Sequence, residues 1–174
     1  MSTASNTNQL TSNDLDSLLS RVAAALPGSA SASISVPPSG HRLTIPVPAA
    51  SAPAEYRLDV QDGLLCVSLV TPDRYLSQSI EQDLVHSGDK LADLLPDELI
   101  DVEFIDAKSA GPALTVDHYR SPPPDKLFTF RSKLPYPPDA WSKPQTVADL
   151  CKVIAAYQAC FGPLGSMTEG DGDE

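Results

Sequence analysis

TVADLCKVIAAYQACF, residues 146–161, decides the fold. Val147, Leu150, Cys151, Ile154 and Phe161 recur at the three-and-four spacing that puts apolar side chains on one stripe of an α-helix. Its ends are punctuated. Thr146 with Asp149 three residues later predicts an N-cap with an acid reaching back, and Gly162-Pro163 predicts a stop, because Gly accepts the left-handed cap and Pro cannot continue the hydrogen-bond ladder. Such a helix, arriving after a run of strand-like segments, buries its stripe most simply across one face of a sheet.

Working back toward the N-terminus, residues 1–10 are rich in Ser, Thr and Asn without periodicity and read as a disordered start. Thr11 or Ser12 caps a first helix in which Leu15, Leu18, Leu19, Val22 and Leu26 form an apolar stripe, stopped by Pro27-Gly28. From Ala30 the period changes to two. Ala32, Ile34 and Val36 alternate with serines, a PPSG turn follows, and Leu43, Ile45 and Val47 alternate again beside Pro46 and Pro48, which confine that strand to an edge. Tyr56, Leu58 and Val60 alternate with Arg57 and Asp59, Asp62-Gly63 supplies a tight turn, and Leu64 to Val70 runs back almost wholly apolar as a central strand.

The segment from Thr71 to Pro96 carries two short helical patterns, one around Ile80, Leu84 and Val85, the other from Asp89 to Leu95 and ended by Pro96. Alternation then resumes in Ile100, Val102 and Phe104 against Asp101 and Glu103. It continues in Leu114, Val116 and His118 against Thr115, Asp117 and Tyr119, and in Leu127 to Arg131, giving a meander of three half-buried strands. LPYPPDAWSKP (134–144) is a proline-stiffened linker with the chain's single Trp, and 164–174 is an acidic, solvated tail ending in EGDGDE. The expectation is one α+β domain over 11–163: a mostly antiparallel, twisted sheet of about six to seven strands, packed by N-terminal and C-terminal amphipathic helices.

With 174 residues a single domain buries roughly 70 % of its unfolded surface and needs no staples. Cys66, Cys151 and Cys160 have neither disulfide nor metal-clip spacing, and fit reduced thiols in a cytoplasmic protein. The N-terminus shows no export signal, and no apolar run approaches the length of about 18 residues that spans a bilayer. Twelve Lys and Arg against 23 Asp and Glu, net −11, repel a phosphate backbone, which argues against nucleic acid as partner. The charge is uneven: residues 55–117 hold 14 acids and 4 bases, whereas 118–152 hold 3 acids and 6 bases. Opposite patches of this kind attract each other within a sheet or between two copies of the chain.

No catalytic, cofactor or metal signature stands out. Cys66 sits in an apolar strand as a small hydrophobe, and Cys151 and Cys160, nine residues apart, fall on opposite sides of a helix turning about 100° per residue, with Cys160 off the stripe and the more exposed. His41, His86 and His118 lack a second His or Cys at ligand spacing. Asp101 and Glu103, with Asp97, Glu98 and Asp106, read as a solvated acidic ridge, and EGDGDE lacks the closing bidentate Glu of a calcium loop. No Gly-rich phosphate loop or nucleophile elbow occurs.

Binding features are clearer. Arg120, Lys126, Arg131 and Lys133 interleave with Phe128 and Phe130 on a basic strand pair suited to an acidic partner, and Tyr136 and Trp141 are aromatic anchors among prolines, unless folded onto the core. The reading is a non-enzymatic protein-binding adaptor that self-associates or takes a protein partner. The alternatives are a small-ligand protein or enzyme with its site near Asp117, His118 and Tyr119, and a structural component of a larger assembly. In size, acidity and the order helix, strands, helix, strands, helix, the chain resembles the type III secretion chaperones and similar small α+β adaptors. That resemblance lies in element order over most of the chain and implies a small acidic, dimeric chaperone-like binder. It brings no motif and no site residue, and the strands around Leu43 depart from it.

Overall fold

The computed structural model describes residues 4–27, 31–38, 40–47, 50–87, 91–104 and 114–161, with side chains for all of these except 4–11, 83–87 and 91–94. The first helix, α1, spans Ala4–Ala25 and begins ahead of the start expected at Thr11 or Ser12. Its predicted stripe is real: Leu15, Leu18, Leu19, Val22 and Leu26 are all buried. Four strands follow, β1 (Ser33–Ser35), β2 (Arg42–Pro46), β3 (Glu55–Gln61) and β4 (Leu64–Thr71). The β3–β4 hairpin turns at Asp62 and Gly63, whose φ angles of 53° and 78° are the paired positive values of a two-residue turn matched to strand twist.

Helices α2 (Arg74–Ser87) and α3 (Leu91–Asp101) carry the chain to β5 (Asp117–Arg120) and β6 (Phe128–Lys133), and α4 (Pro144–Phe161) closes the domain. All strands pair antiparallel in one six-stranded sheet of order β1-β2-β3-β4-β6-β5. The fold is α+β. As expected, β4 is central, and every residue from Leu65 to Thr71 is buried. Pairing of β4 with β6 instead of β5 places β5, a four-residue strand, at the edge.

Strand register sorts the side chains. Leu43 and Ile45 of β2, Tyr56 and Leu58 of β3, Leu65, Val67 and Leu69 of β4, and Phe130 of β6 share one face. All eight are buried. Helices α1 and α4 pack on each other and on this side, with α3 against α4 and α2 against β4. Each Leu, Ile or Phe fully removed from water here contributes about 1.5–3 kcal/mol. The buried side of α4 is broader than the predicted stripe and comprises Thr146, Leu150, Val153, Ile154, Ala156, Tyr157, Cys160 and Phe161, because sheet, α1 and α3 approach it from three directions. Cys160 is therefore buried, and Cys151 is the half-exposed one, the reverse of the expectation.

Other expectations are also corrected. Helix α4 starts at Pro144, not Thr146; Thr146 Oγ1 donates to the Ala140 carbonyl at 2.7 Å, and the Asp149 carboxylate accepts from Tyr136 Oη and Gln145 Nε2 instead of capping. Pro96 lies inside α3 and does not end it. Ile100, Val102 and Phe104 are not a strand: α3 runs to Asp101, with Leu95 and Leu99 buried one turn apart, and the predicted three-strand meander reduces to β5 and β6. The helix ends in a Schellman arrangement, Phe104 N–H to Leu99 O and Glu103 N–H to Ile100 O, with Glu103 at φ 57°. Lys152 Nζ donates to the Glu103 carbonyl at 2.9 Å and ties this turn to α4. The acidic ridge accordingly lies along a helix and its terminal turn; Asp106, the Gly162-Pro163 stop and the acidic tail fall outside the described residues.

Candidate functional site

The face of the sheet turned away from the helices carries the polar half of each strand's alternation. Register arranges it in rows across the strands: Arg42, Asp59, Cys66 and Lys133 in one; Thr44, Arg57, Ser68, Arg131 and Asp117 in the next; Glu55, Val70, Thr129 and Tyr119 in the third. A concavity of about 750 Å³ lies over these rows, bounded by the Asp62-Gly63 hairpin tip and by the segment from Ser121 to Leu127.

Its charges are organised in pairs. Arg42 Nε donates to Asp59 Oδ2 at 2.7 Å, and Gln61 Nε2 to Asp59 Oδ1 at 2.9 Å, so the buried Asp59 carboxylate has a cation and a second donor. Arg57 binds Glu55 Oε1 through Nε at 2.6 Å and Nη2 at 2.5 Å. Arg131 Nη1 donates to Gln61 Oε1 at 2.8 Å, its Nη2 lies 3.8 Å from Asp117 Oδ2, and its guanidinium sits 4.9 Å from the Tyr119 ring centroid. Desolvation pushes the Tyr119 phenol up, partly offset by that guanidinium. The side chains of Arg57 and Arg131 are only 16 % and 14 % exposed, so their stems lie along the sheet over the small residues between them. Beneath them, Ser68 Oγ is buried without a hydrogen-bond partner, as is Arg131 Nε.

The basic strand pair expected to form one binding patch is split by the sheet. Arg131 and Lys133 belong to the open face. Phe128, Phe130 and Arg120 belong to the helix side. There Arg120 lies over the Phe128 ring at 5.2 Å, and its Nε donates to the Lys126 carbonyl at 3.3 Å. Phe130 is wholly buried, stacked on His118 at 4.1 Å and tilted against Phe161, so it is a core residue. Trp141 is buried as well; its indole N–H donates to the Tyr136 carbonyl at 3.0 Å, and Arg21 donates to the carbonyls of Trp141 and Ser142. Tyr136 donates to Asp149 Oδ2 at 3.0 Å. Trp141 thus pins the linker to α1 from within the core, and the half-buried Tyr136 ties it to α4. Of the predicted binding residues, Arg120, Lys126, Arg131 and Lys133 keep polar surface, and Phe128 is half-buried.

The grouping of Asp117, His118 and Tyr119 does not converge, because alternation sends His118 to the helix side and its neighbours to the open one. His118 Nε2 lies 3.3 Å from Ser77 Oγ and 3.7 Å from Glu81 Oε1. Both contacts use one ring nitrogen, whereas a base that activates a hydroxyl must have its other nitrogen held by the carboxylate. Ser77 is also only 1 % exposed. His41 bridges β2 to α1, with Nε2 2.9 Å from Ser12 Oγ and Nδ1 3.2 Å from Asp16 Oδ1. Burial raises all three thiols, Cys160 to about 12 with help from Glu98 and Asp97, so each is held as the thiol. Among the described residues, no three His, Cys, Asp or Glu side chains are grouped to hold a metal, and no helix is long and apolar enough to cross a membrane.

Tyr119 was expected at a site with Asp117 and His118, whereas Arg42, Arg57, Gln61 and Ser68 escaped notice in the sequence as site residues. Their signal was a lone serine inside an otherwise apolar central strand, facing an Arg-x-Asp-x-Gln alternation on the strand before it. Compared with protein-family models, with curated proteins and with solved structures, the chain matches none.

Proposed function

We propose that this chain is a non-enzymatic, cytoplasmic adaptor that binds an acidic, extended segment of another protein on the open face of its sheet. The observation that supports this most is the one-sided packing: α1 and α4 bury one face, while the other holds a concavity of about 750 Å³ lined by Arg42, Arg57 and Arg131. Lys133 extends the basic character along the same face, and Val70, Leu127 and Pro122 give the concavity apolar wall. A surface that mixes guanidinium forks with short apolar stretches suits a peptide better than a reaction. The element order, helix, strands, helices, strands, helix, is in keeping with the chaperone-like reading drawn from the sequence.

The test is fluorescence anisotropy of the purified chain against short synthetic peptides that are acid-rich, neutral or base-rich, alongside light scattering of the chain alone. The acid-rich peptides are expected to bind, and to bind less tightly as salt is raised past the point where the screening length falls to about 10 Å. A monomer that binds none of the three classes, or prefers the basic one, overturns the proposal.

A further inference from the structure

The row Arg57, Ser68, Arg131 has a geometry that its own side chains do not use up. Ser68 on β4 is the direct cross-strand partner of Arg57 on one side and Arg131 on the other, so a hydroxyl lies between two guanidiniums on one face. That hydroxyl is fully buried and has no hydrogen-bond partner. Buried polar atoms are ordinarily satisfied, and an unsatisfied one between two cations, at the floor of a concavity, marks the place of a missing acceptor. Arg131 Nε, also unpartnered, is a second donor at the same place.

From this arrangement we infer that Arg57, Ser68 and Arg131 form the binding site for one carboxylate, the acidic side chain of a bound peptide. The inference rests on the adaptor reading and adds to it the point of recognition. The Nε–Nη2 edge of Arg57 is held by Glu55, so the edge of Arg131 that carries the unpartnered Nε–H presents the parallel donors that match the two oxygens of a carboxylate, and the serine hydroxyl adds a third donor from below. The charge balance selects the anion. Asp59 pairs with Arg42, Glu55 with Arg57, and Asp117 lies near Arg131, so the three guanidiniums are matched one for one, and Asp62 and Asp125 add negative charge to the lining. The pull on an anion therefore comes from the unused Ser68 hydroxyl and Arg131 Nε–H and not from surplus charge, and a phosphate or sulfate dianion is repelled more strongly than a monoanion, as it is by the chain's net charge of −11. Glutamate and aspartate side chains carry that single charge on a short apolar stem, which Val70 and Leu127 can line.

The experiment follows the arginine Nε–H resonances of the intact chain by NMR while acetyl-Gly-Glu-Gly-amide is added, with acetyl-Gly-Gln-Gly-amide, acetate and sulfate as parallel titrants. The Glu peptide is expected to shift the Arg57 and Arg131 signals saturably, and the Gln peptide to leave them in place. Ser68→Ala and Arg131→Lys should each weaken the Glu peptide by about tenfold, the loss of one hydrogen bond to a charged group. Ser68→Ala should do so without lowering the urea midpoint of the free chain, since its hydroxyl has no partner to lose. Equal shifts with Glu and Gln peptides, tighter binding of sulfate, or acetate binding as well as the peptide overturns the assignment. So does a Ser68→Ala chain that keeps full affinity. Acid-rich peptides that bind the open face without moving these two arginines sink this site alone and leave the adaptor reading standing. Arginine shifts by the Glu peptide, with no longer peptide bound, keep the site and sink the adaptor.

Discussion

Tyr157 on α4 donates its hydroxyl to Ser132 Oγ on β6 at 2.6 Å, and Ser132 Oγ passes a hydrogen bond on to the Thr115 carbonyl at 2.8 Å. Both residues are fully buried. This relay fastens the last helix to the strand that joins β4 to the edge, at a depth where water cannot substitute for a lost partner. The phenol is held strongly neutral there by desolvation, against which Ser132 acts only in part. Tyr157→Phe should therefore cost about 1–2 kcal/mol, and Ser132→Ala somewhat more, because it strands the buried phenol O–H and also removes the donor to the Thr115 carbonyl. Urea unfolding of the two single variants and the double variant should give a cycle that is not additive. Additive losses would mean the two hydroxyls are not coupled.

The thiols should separate by burial. Cys151 is half-exposed on α4, whereas Cys66 and Cys160 are buried and Cys160 is raised to about 12. Under native conditions near pH 8, iodoacetamide is expected to modify Cys151 first and to reach the other two only after urea is added, as read by peptide mass spectrometry. Cys160 alkylated in the folded chain as fast as Cys151 would contradict the packing of α4 against α3.

The sequence could reveal what short-range pattern controls. Leu15, Leu18, Leu19, Val22 and Leu26 lie within one helix and face one direction, so their spacing alone foretells burial. Asp62-Gly63 likewise encodes its own turn. The stretch from Ile100 to Phe104 failed because two periods overlap there: Leu95, Leu99 and Val102 repeat helically while Ile100, Val102 and Phe104 alternate. The helix also ends on Glu103 in the left-handed region, where a glycine would have announced the stop. Cys160 was misjudged because the width of a helix's buried side depends on how many neighbours pack on it, which its own residues do not record. The row of Arg57, Ser68 and Arg131 was invisible for a related reason. It exists only through the pairing of β3 with β4 and of β4 with β6, the second of which crosses two helices in sequence.

The Arg42 and Asp59 pair should respond asymmetrically to substitution. Asp59 is 4 % exposed at its side chain and Arg42 20 %, so water can rehydrate the cation more easily than the carboxylate. Arg42→Met leaves a buried charge supported only by Gln61 and should cost about 2–3 kcal/mol, while Asp59→Asn should cost less. The double variant should recover most of the Arg42→Met loss. Guanidinium or urea midpoints at constant m would check this, and a larger cost for Asp59→Asn would refute the order.

Alkaline pH should unfold the domain through its buried phenols. Burial raises Tyr56 and Tyr157 far above the ordinary tyrosine value of about 10. Above pH ~10 the unfolded chain releases these protons and the native chain keeps them, so the native state binds more protons and stability falls as pH rises. Below pH ~10 both states are protonated and the contribution is fully present. Each such tyrosine steepens the decline by up to about 1.4 kcal/mol per pH unit. Phenolate absorbance from these two residues is expected to appear together with the loss of far-ultraviolet circular dichroism, not before it. The Tyr56→Phe chain, whose hydroxyl makes only a long 3.4 Å contact to the Tyr157 carbonyl, should move the alkaline transition upward without a large loss at neutral pH. Phenolate formation by Tyr56 or Tyr157 in a chain that is still folded would show that α4 does not seal them from water.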